Sequence, residues 1–230
     1  MKYCIINAVP GREDNVSKTK HTLKDFTEIQ GIKYYDTTTD DYIDYIKNNE
    51  ITISDSYQFL ENAQLAIWAT TISILNYIVD NDIDSLLVLE DDAVLLDDFV
   101  EVYSKCVDDL PTTFDLFSAY SLKFIYGDNQ ILQHNFLRDE CDIGSKYIHK
   151  AYDAAAGCQA MLYSLSGAKT ILKSIKNDGI NTDSDIFIFE RCRSKTFDSY
   201  IIRPDVPETI RHGMFKSTID PQNKRGTIFY

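Results

Sequence analysis

Three carboxylates in a row, Glu90-Asp91-Asp92, close the apolar run Ser85-Leu86-Leu87-Val88-Leu89. An unbroken apolar run of this length predicts a strand buried on both faces, as in a parallel sheet. Unpaired charge is costly to bury, so the acids belong at the carboxyl edge of that sheet, where open α/β sheets bind ligands. Side by side they repel one another unless a cation lies among them. Oxygen-only ligands favour a hard ion, Mg²⁺ or Mn²⁺. The stretch therefore points to a strand that delivers a divalent metal to a ligand carrying phosphates.

Other chemistry-bearing residues are scattered along the chain. Asp183 and Asp185 precede a helical segment, Ile186 to about Arg193; in the simplest reading they are caps favoured by the helix dipole. The run of small residues at 154–156, continued by Gly157-Cys158-Gln159, would let a ligand approach the backbone closely. Arg211, His212 and Lys216 lie in a basic tail expected to fold back over the sheet edge.

The elements that must position these residues follow from pattern. Lys2 to Val9 predicts a first strand, stopped by Pro10-Gly11. A helix is expected from about Asp14 to Ile29, then a second strand, Ile32 to Tyr35, with Asp36 at its end. Strand, helix, strand and acid make a nucleotide-binding half. Tyr3, Asn7, Arg12 and Asp36 are placed there to hold a nucleotide, Asp36 at the usual position of a base or ribose contact. No G-x-G-x-x-G or Walker pattern is present, which disfavours dinucleotide and P-loop readings.

Residues 37–50 read as a solvated helix or loop face. A capping box at Asp55 and Gln58 opens a long buried helix from Tyr57 to about Val79, with Trp68 in its core. That helix feeds directly into the acid-tipped strand, which predicts a right-handed parallel crossover. Ala93 to Leu96 reads as a short turn, and a helix opened by Asp98 runs to about Val107. A strand is expected from Phe114 to Tyr120. Residues 121–152 lack a clean period and read as an insertion that shapes substrate choice. A strand at Ala160 to Tyr163 and a helix N-capped by Ser166 and ended by Gly179 follow. Tyr200 to Arg203 is the last expected strand.

The chain has 230 residues, 44% of them hydrophobic and 26% charged, as expected of one soluble α/β domain. No apolar run approaches the roughly 20 residues of a membrane span. The N-terminus is too short and too β-like for a signal peptide. Five cysteines without C-x-x-C spacing argue against zinc and disulfides and for a reducing compartment. The expected location is the cytoplasm. The net charge of −13 is uneven: residues 36–115 hold 19 acids and 2 bases, which leaves +4 for the rest. Acidity argues weakly against duplex nucleic acid as partner without excluding it.

The strand ending Leu87-Val88-Leu89-Glu90-Asp91-Asp92 resembles that of glycosyltransferase family 25, the lipopolysaccharide-type enzymes. Ile5-Ile6-Asn7 with Arg12 after it, the stretch from Gly157 to Ala168, and Asp183/Asp185 agree with the family in order and spacing. The chain departs from it in two places. The first-loop signature keeps Asn7 with a single Arg12, and Asn62 to Trp68 replaces a Gly-Cys-x-x-Ser-His stretch.

The resemblance implies an α/β fold of GT-A type, with a Rossmann-like mixed, mainly parallel central sheet flanked by helices. It implies one domain over 1–230, with a nucleotide-sugar half at 1–120 and an acceptor half and tail at 121–230. The implied activity is metal-dependent transfer of a sugar, with inversion, from a nucleoside-diphosphate sugar (a UDP-sugar foremost) to an acceptor hydroxyl. Asp92 takes the metal role of a DXD-like motif, joined by His212 and Glu90, with Mn²⁺ or Mg²⁺ as cofactor. Glu90 also contacts the donor, with Asp91 beside it. Arg211 and Lys216 bind the diphosphate, and Gly157 and Gln159 line the sugar or acceptor pocket. Asp183 or Asp185 is the base; sequence does not choose. The expected acceptor is a saccharide. Alternatives are a modified DNA base, a metal-dependent nucleotidyltransferase or phosphohydrolase, and a non-catalytic adaptor. Oligomeric state is not legible.

Overall fold

The computed structural model describes residues 1–7, 11–35, 41–54, 62–120, 141–152, 158–203, 205–207 and 209–212, with Arg211 and His212 by backbone alone. Asp36, Gly157, Lys216, the capping box at 55–58 and most of the 121–152 insertion lie outside these residues.

A seven-stranded sheet carries the architecture, in the order β2-β1-β3-β7-β5-β8-β6. Its strands are β1 (Lys2–Ile6), β2 (Thr27–Glu28), β3 (Ser85–Glu90), β5 (Leu116–Ser118), β6 (Ile148–Lys150), β7 (Ala160–Ser164) and β8 (Ser199–Ile202). Pairing is parallel for β1 with β2 and β3 and for β5 with β8. It is antiparallel where β7 joins β3 and β5, and where β6 joins β8. The sheet is thus mixed, and β7 from the second half of the chain lies between two strands of the first. The acid-tipped strand β3 is central, as its apolar run requires: Leu86, Leu87, Val88 and Leu89 are at most 4% exposed.

Six helices flank the sheet among the described residues: α1 (Glu13–Thr22), α2 (Asp41–Asn48), α3 (Asn62–Asp80), α4 (Phe99–Asp108), α5 (Leu165–Asp178) and α6 (Ser184–Arg193). α3 packs against α2, α5 and α6, so it is buried over most of its surface, Trp68 fully. α5 can lie close to the sheet because Gly167 has no side chain. A Cβ there would stand 1.8 Å from the Asp115 carbonyl oxygen.

Several sequence expectations need correction. The first helix ends at Thr22, not near Ile29, and the second strand is Thr27–Glu28. Residues 32–35 form no strand, although Ile32 and Tyr35 are buried. They read as a strand because buried irregular chain and short strands share the same apolar pattern. Residues 41–48 form a helix with Tyr42 and Ile46 inside, not a solvated face. The N-cap of α5 is Ser164, whose Oγ accepts the Gly167 N–H (2.9 Å), and not Ser166. Ala93–Leu95 is not a turn but a strand, β4, paired antiparallel with β9 (Ile210–His212). Tyr3 is 3% exposed within β1, a core position.

Candidate active site

β1, β3, β5 and β8 run the same way, so their carboxyl ends share one edge with the start of β7. The candidate residues collect there. Ile6 is in register with Glu90, which puts exposed Asn7 just past the sheet edge. Glu90 donates its backbone N–H to the Gln159 carbonyl (3.1 Å), so Gln159 stands across from it. Gln159 is buried, at 7% exposure.

Beyond Glu90 the chain turns through Asp91 and Asp92, both buried, into β4. Repulsion between these acids is relieved by a cation belonging to the protein. The Arg12 guanidinium pairs with Asp91 and lies 3.4 Å from Asp92 Oδ2. Arg12 thus holds the two acids together. One Asn15 amide binds the carbonyls on both sides of Asp92, Asp91 O at 2.8 Å and Ala93 O at 3.0 Å. Sequence reasoning missed Asn15. Arg12, Asn15 and Thr19 share one helical face by spacing, but that face is polar, and only the tertiary structure shows that all three are buried. β4 then pairs with β9 so that His212 is opposite Ala93 and Arg211 opposite Val94. Ile210–His212 thus lies beside the acid-bearing turn, with His212 in register one residue from Asp92; residues 213–230, the rest of the basic tail, lie outside the described residues.

The second acidic pair arrives from α6. Trp68 Nε1 donates to the Thr182 carbonyl (2.8 Å), and the Gln64 amide donates to Asp183. Both contacts come from the part of α3 where the chain departs from the family pattern. Asp183 is the N-cap of α6 by backbone geometry, but its carboxylate makes no cap bond. Asp185 Oδ1 accepts the Ile186 N–H at 2.7 Å.

Electrostatics tie the groups together. Burial pushes the Glu90 carboxyl well above its ordinary range, and the charges of Asp92, Asp185 and Asp91 push the same way against Arg12. Glu90 lines a small pocket, about 30 Å³, with Ile67, Thr71, Cys158, Ser184 and Ile188. Those largely apolar walls are the source of its desolvation. Asp185 is also raised, by burial first and then by Asp183, with backbone N–H groups opposing. Burial holds the Cys158 thiol above its usual range, which disfavours the thiolate. Among the described residues no three His, Cys, Asp or Glu side chains form a ready metal cage. No helix among them is long and apolar enough to cross a membrane.

Among solved structures the chain resembles the apo form of mouse xyloside xylosyltransferase 1, at 13% identity over 85% of this chain and 70% of that one, with a TM-score of 0.40. A likeness that distant carries no argument about activity. No curated protein matches. The family model for glycosyltransferase family 25 (LPS biosynthesis protein) matches residues 5–188, from β1 into α6, and so spans Glu90, Asp92 and Asp185. With most of its length matched, including every acid at the sheet edge, the chain belongs to glycosyltransferase family 25 and is a glycosyltransferase.

Proposed function

We propose that the protein is a single-domain, metal-dependent enzyme that moves a sugar from a nucleoside-diphosphate sugar, foremost a UDP-sugar, to a saccharide hydroxyl with inversion. One observation supports it above the rest: Glu90 feels the charges of both Asp92 and Asp185. Acids from two distant segments therefore lie within electrostatic reach of one another near the end of the central strand, where Glu90 and Ser184 line the same pocket.

The residues fit a divalent cation. The carboxylates of Asp92 and Glu90 are hard oxygen donors, and among the described residues the acids outnumber the Arg12 guanidinium beside them. The register of β4 with β9 puts His212 opposite Ala93, the residue that follows Asp92. Mg²⁺-type sites commonly use one or two carboxylates and leave the remaining positions to water and substrate phosphates, so a complete protein cage is not required. When bound, such an ion supplies positive charge for the leaving diphosphate.

The chain's own residues do the rest. Asn7 and Gln159 border the donor site, Arg211 serves the diphosphate, and Glu90 accepts a hydrogen bond from the donor sugar. Asp36, Gly157 and Lys216 keep their expected roles in this reading. Asp185 is the base, because the Gln64 amide occupies Asp183 while burial raises the basicity of Asp185. The acceptor oxygen forms a bond to the anomeric carbon as that carbon's bond to the diphosphate oxygen breaks. The diphosphate leaves with the bonding electron pair, and the acceptor's proton passes to Asp185 Oδ2.

The family's description, lipopolysaccharide biosynthesis, supports a saccharide rather than a DNA base as acceptor. The test is a thermal melt with Mn²⁺ and UDP, GDP or CDP. Wild type should be stabilised by one nucleotide only when Mn²⁺ is present, and Asp92→Asn should lose that response. Stabilisation by none of the three would sink the proposal.

A further inference from the structure

The turn that carries Asp92 joins β3 to β4, and α1 with its N-cap Arg12 clamps it from the side. Arg12, Asn15 and Thr19 are spaced i, i+3 and i+7, which puts them on one helical face. They are 8%, 9% and 3% exposed. Arg12 pairs with Asp91 and reaches Asp92. Asn15 Nδ2 spans Asp91 O and Ala93 O, and Thr19 Oγ1 lies 3.5 Å from the same Ala93 carbonyl. A single amide thus fixes the carbonyls before and after Asp92, and with them the direction of the Asp92 side chain. The next link is the tail. Ala93 is the residue opposite His212, so the clamp also sets the height at which β9 returns.

We propose that Asn15 is a positioning residue for cation binding. It acts through Asp92 and, by the Ala93 register, through β9; it touches neither donor nor acceptor. A buried amide spent on two carbonyls satisfies polar groups anywhere in a fold. Here the two carbonyls bracket the residue that would hold the ion, and outer partners of metal ligands typically tune affinity 10–100-fold. The inference rests on the cation reading given above.

The test separates positioning from plain stability. Asn15→Ala, Asn15→Ser and a remote core variant, Leu172→Ala on α5, are melted in EDTA. Mn²⁺ binding in the presence of UDP is then measured by electron paramagnetic resonance, well below each melting point. We expect Asn15→Ala to weaken Mn²⁺ about tenfold or more, with Asn15→Ser intermediate. Leu172→Ala should melt earlier yet bind Mn²⁺ as wild type does. In turnover, Asn15→Ala should raise the Mn²⁺ concentration needed for half-maximal rate more than it lowers the rate at saturation. If wild type binds Mn²⁺ and Asn15→Ala binds within twofold of it, the clamp is wrong and the cation reading stands. If wild type binds none, both fall together. Should Asn15→Ala fail to fold, Asn15→Ser carries the same criterion.

Discussion

Asp185→Asn is the most decisive substitution in the molecule, because geometry and charge make opposite demands on it. Asparagine keeps an oxygen that can accept the Ile186 N–H, now at 2.7 Å, so the first turn of α6 survives. The charge is lost. Asp185 is one of the groups that raise the Glu90 carboxyl, and its own carboxyl is raised by burial. A carboxyl whose folded value lies above its unfolded value adds stability only at low pH and loses it as pH rises through the folded value. At neutral pH the acid is therefore a burden, and the variant should melt no lower than wild type. Turnover should move the other way. Removing a general base costs typically 10²–10⁴-fold, or about 3–5 kcal/mol at 1.36 kcal/mol per tenfold. The wild-type rate should also fall in acid as Asp185 takes up a proton, a limb the variant should lack. The assay is single-turnover transfer from a pre-bound UDP-sugar across pH 4.5–8, with donor affinity measured separately. Asp183→Asn is the control. It can still accept from Gln64, and it should stay within about fivefold of wild type. Equal losses in the two variants, or a loss below fivefold for Asp185→Asn with donor bound, would refute the assignment.

Two further predictions concern the frame. Gly167→Ala places a Cβ 1.8 Å from backbone oxygen, so α5 or the Asp115 strand must shift. Overpacking of this kind costs about 1–3 kcal/mol or more, read as a lower urea midpoint, and an unchanged midpoint would mean that α5 lies further from the sheet. His149 on β6 titrates at about 4 when folded, against an ordinary 6.5, because burial and Arg203 disfavour its charge despite Asp205 and Asp142. Between those values only the unfolded chain binds that proton. Stability should therefore fall as pH drops from 6.5 toward 4, by up to roughly 3 kcal/mol from this group. His149→Leu should flatten that part of the curve in urea titrations at pH 7 and 4.5, and parallel losses in variant and wild type would count against it.

What the sequence disclosed was governed by periodicity and by charge. Ser85–Glu90 was legible because an apolar run ending in acid has few structural solutions, and α3 because its helical pattern is long. The short elements were not. Thr27–Glu28 has two residues and no pattern of its own, and β1 organises it through pairing. β4 looked like a turn because its strand character comes from β9, more than 110 residues away. At the site, the acids announced themselves by chemistry; their holders did not. Asn15, Gln64 and Thr19 are ordinary polar residues in helices, and only the tertiary structure shows what each one binds.

The arrangement around Arg12 also bears on the order of events in the proposed reaction. Asp91 and Asp92 share one guanidinium, and Glu90, which also feels the charge of Asp185, stays raised in spite of it. Among the described residues the acids at this edge thus outnumber the positive charges before any substrate arrives. A diphosphate brings more negative charge to the same edge, where apolar walls weaken solvent screening. Arg12 cannot answer for both, since its guanidinium is engaged by Asp91. On the proposed reading the donor therefore enters with its cation or after it, and diphosphate alone should bind weakly. Isothermal titration of UDP with and without Mn²⁺ tests the order directly: equal affinity in the two titrations would show that the acids do not govern donor entry.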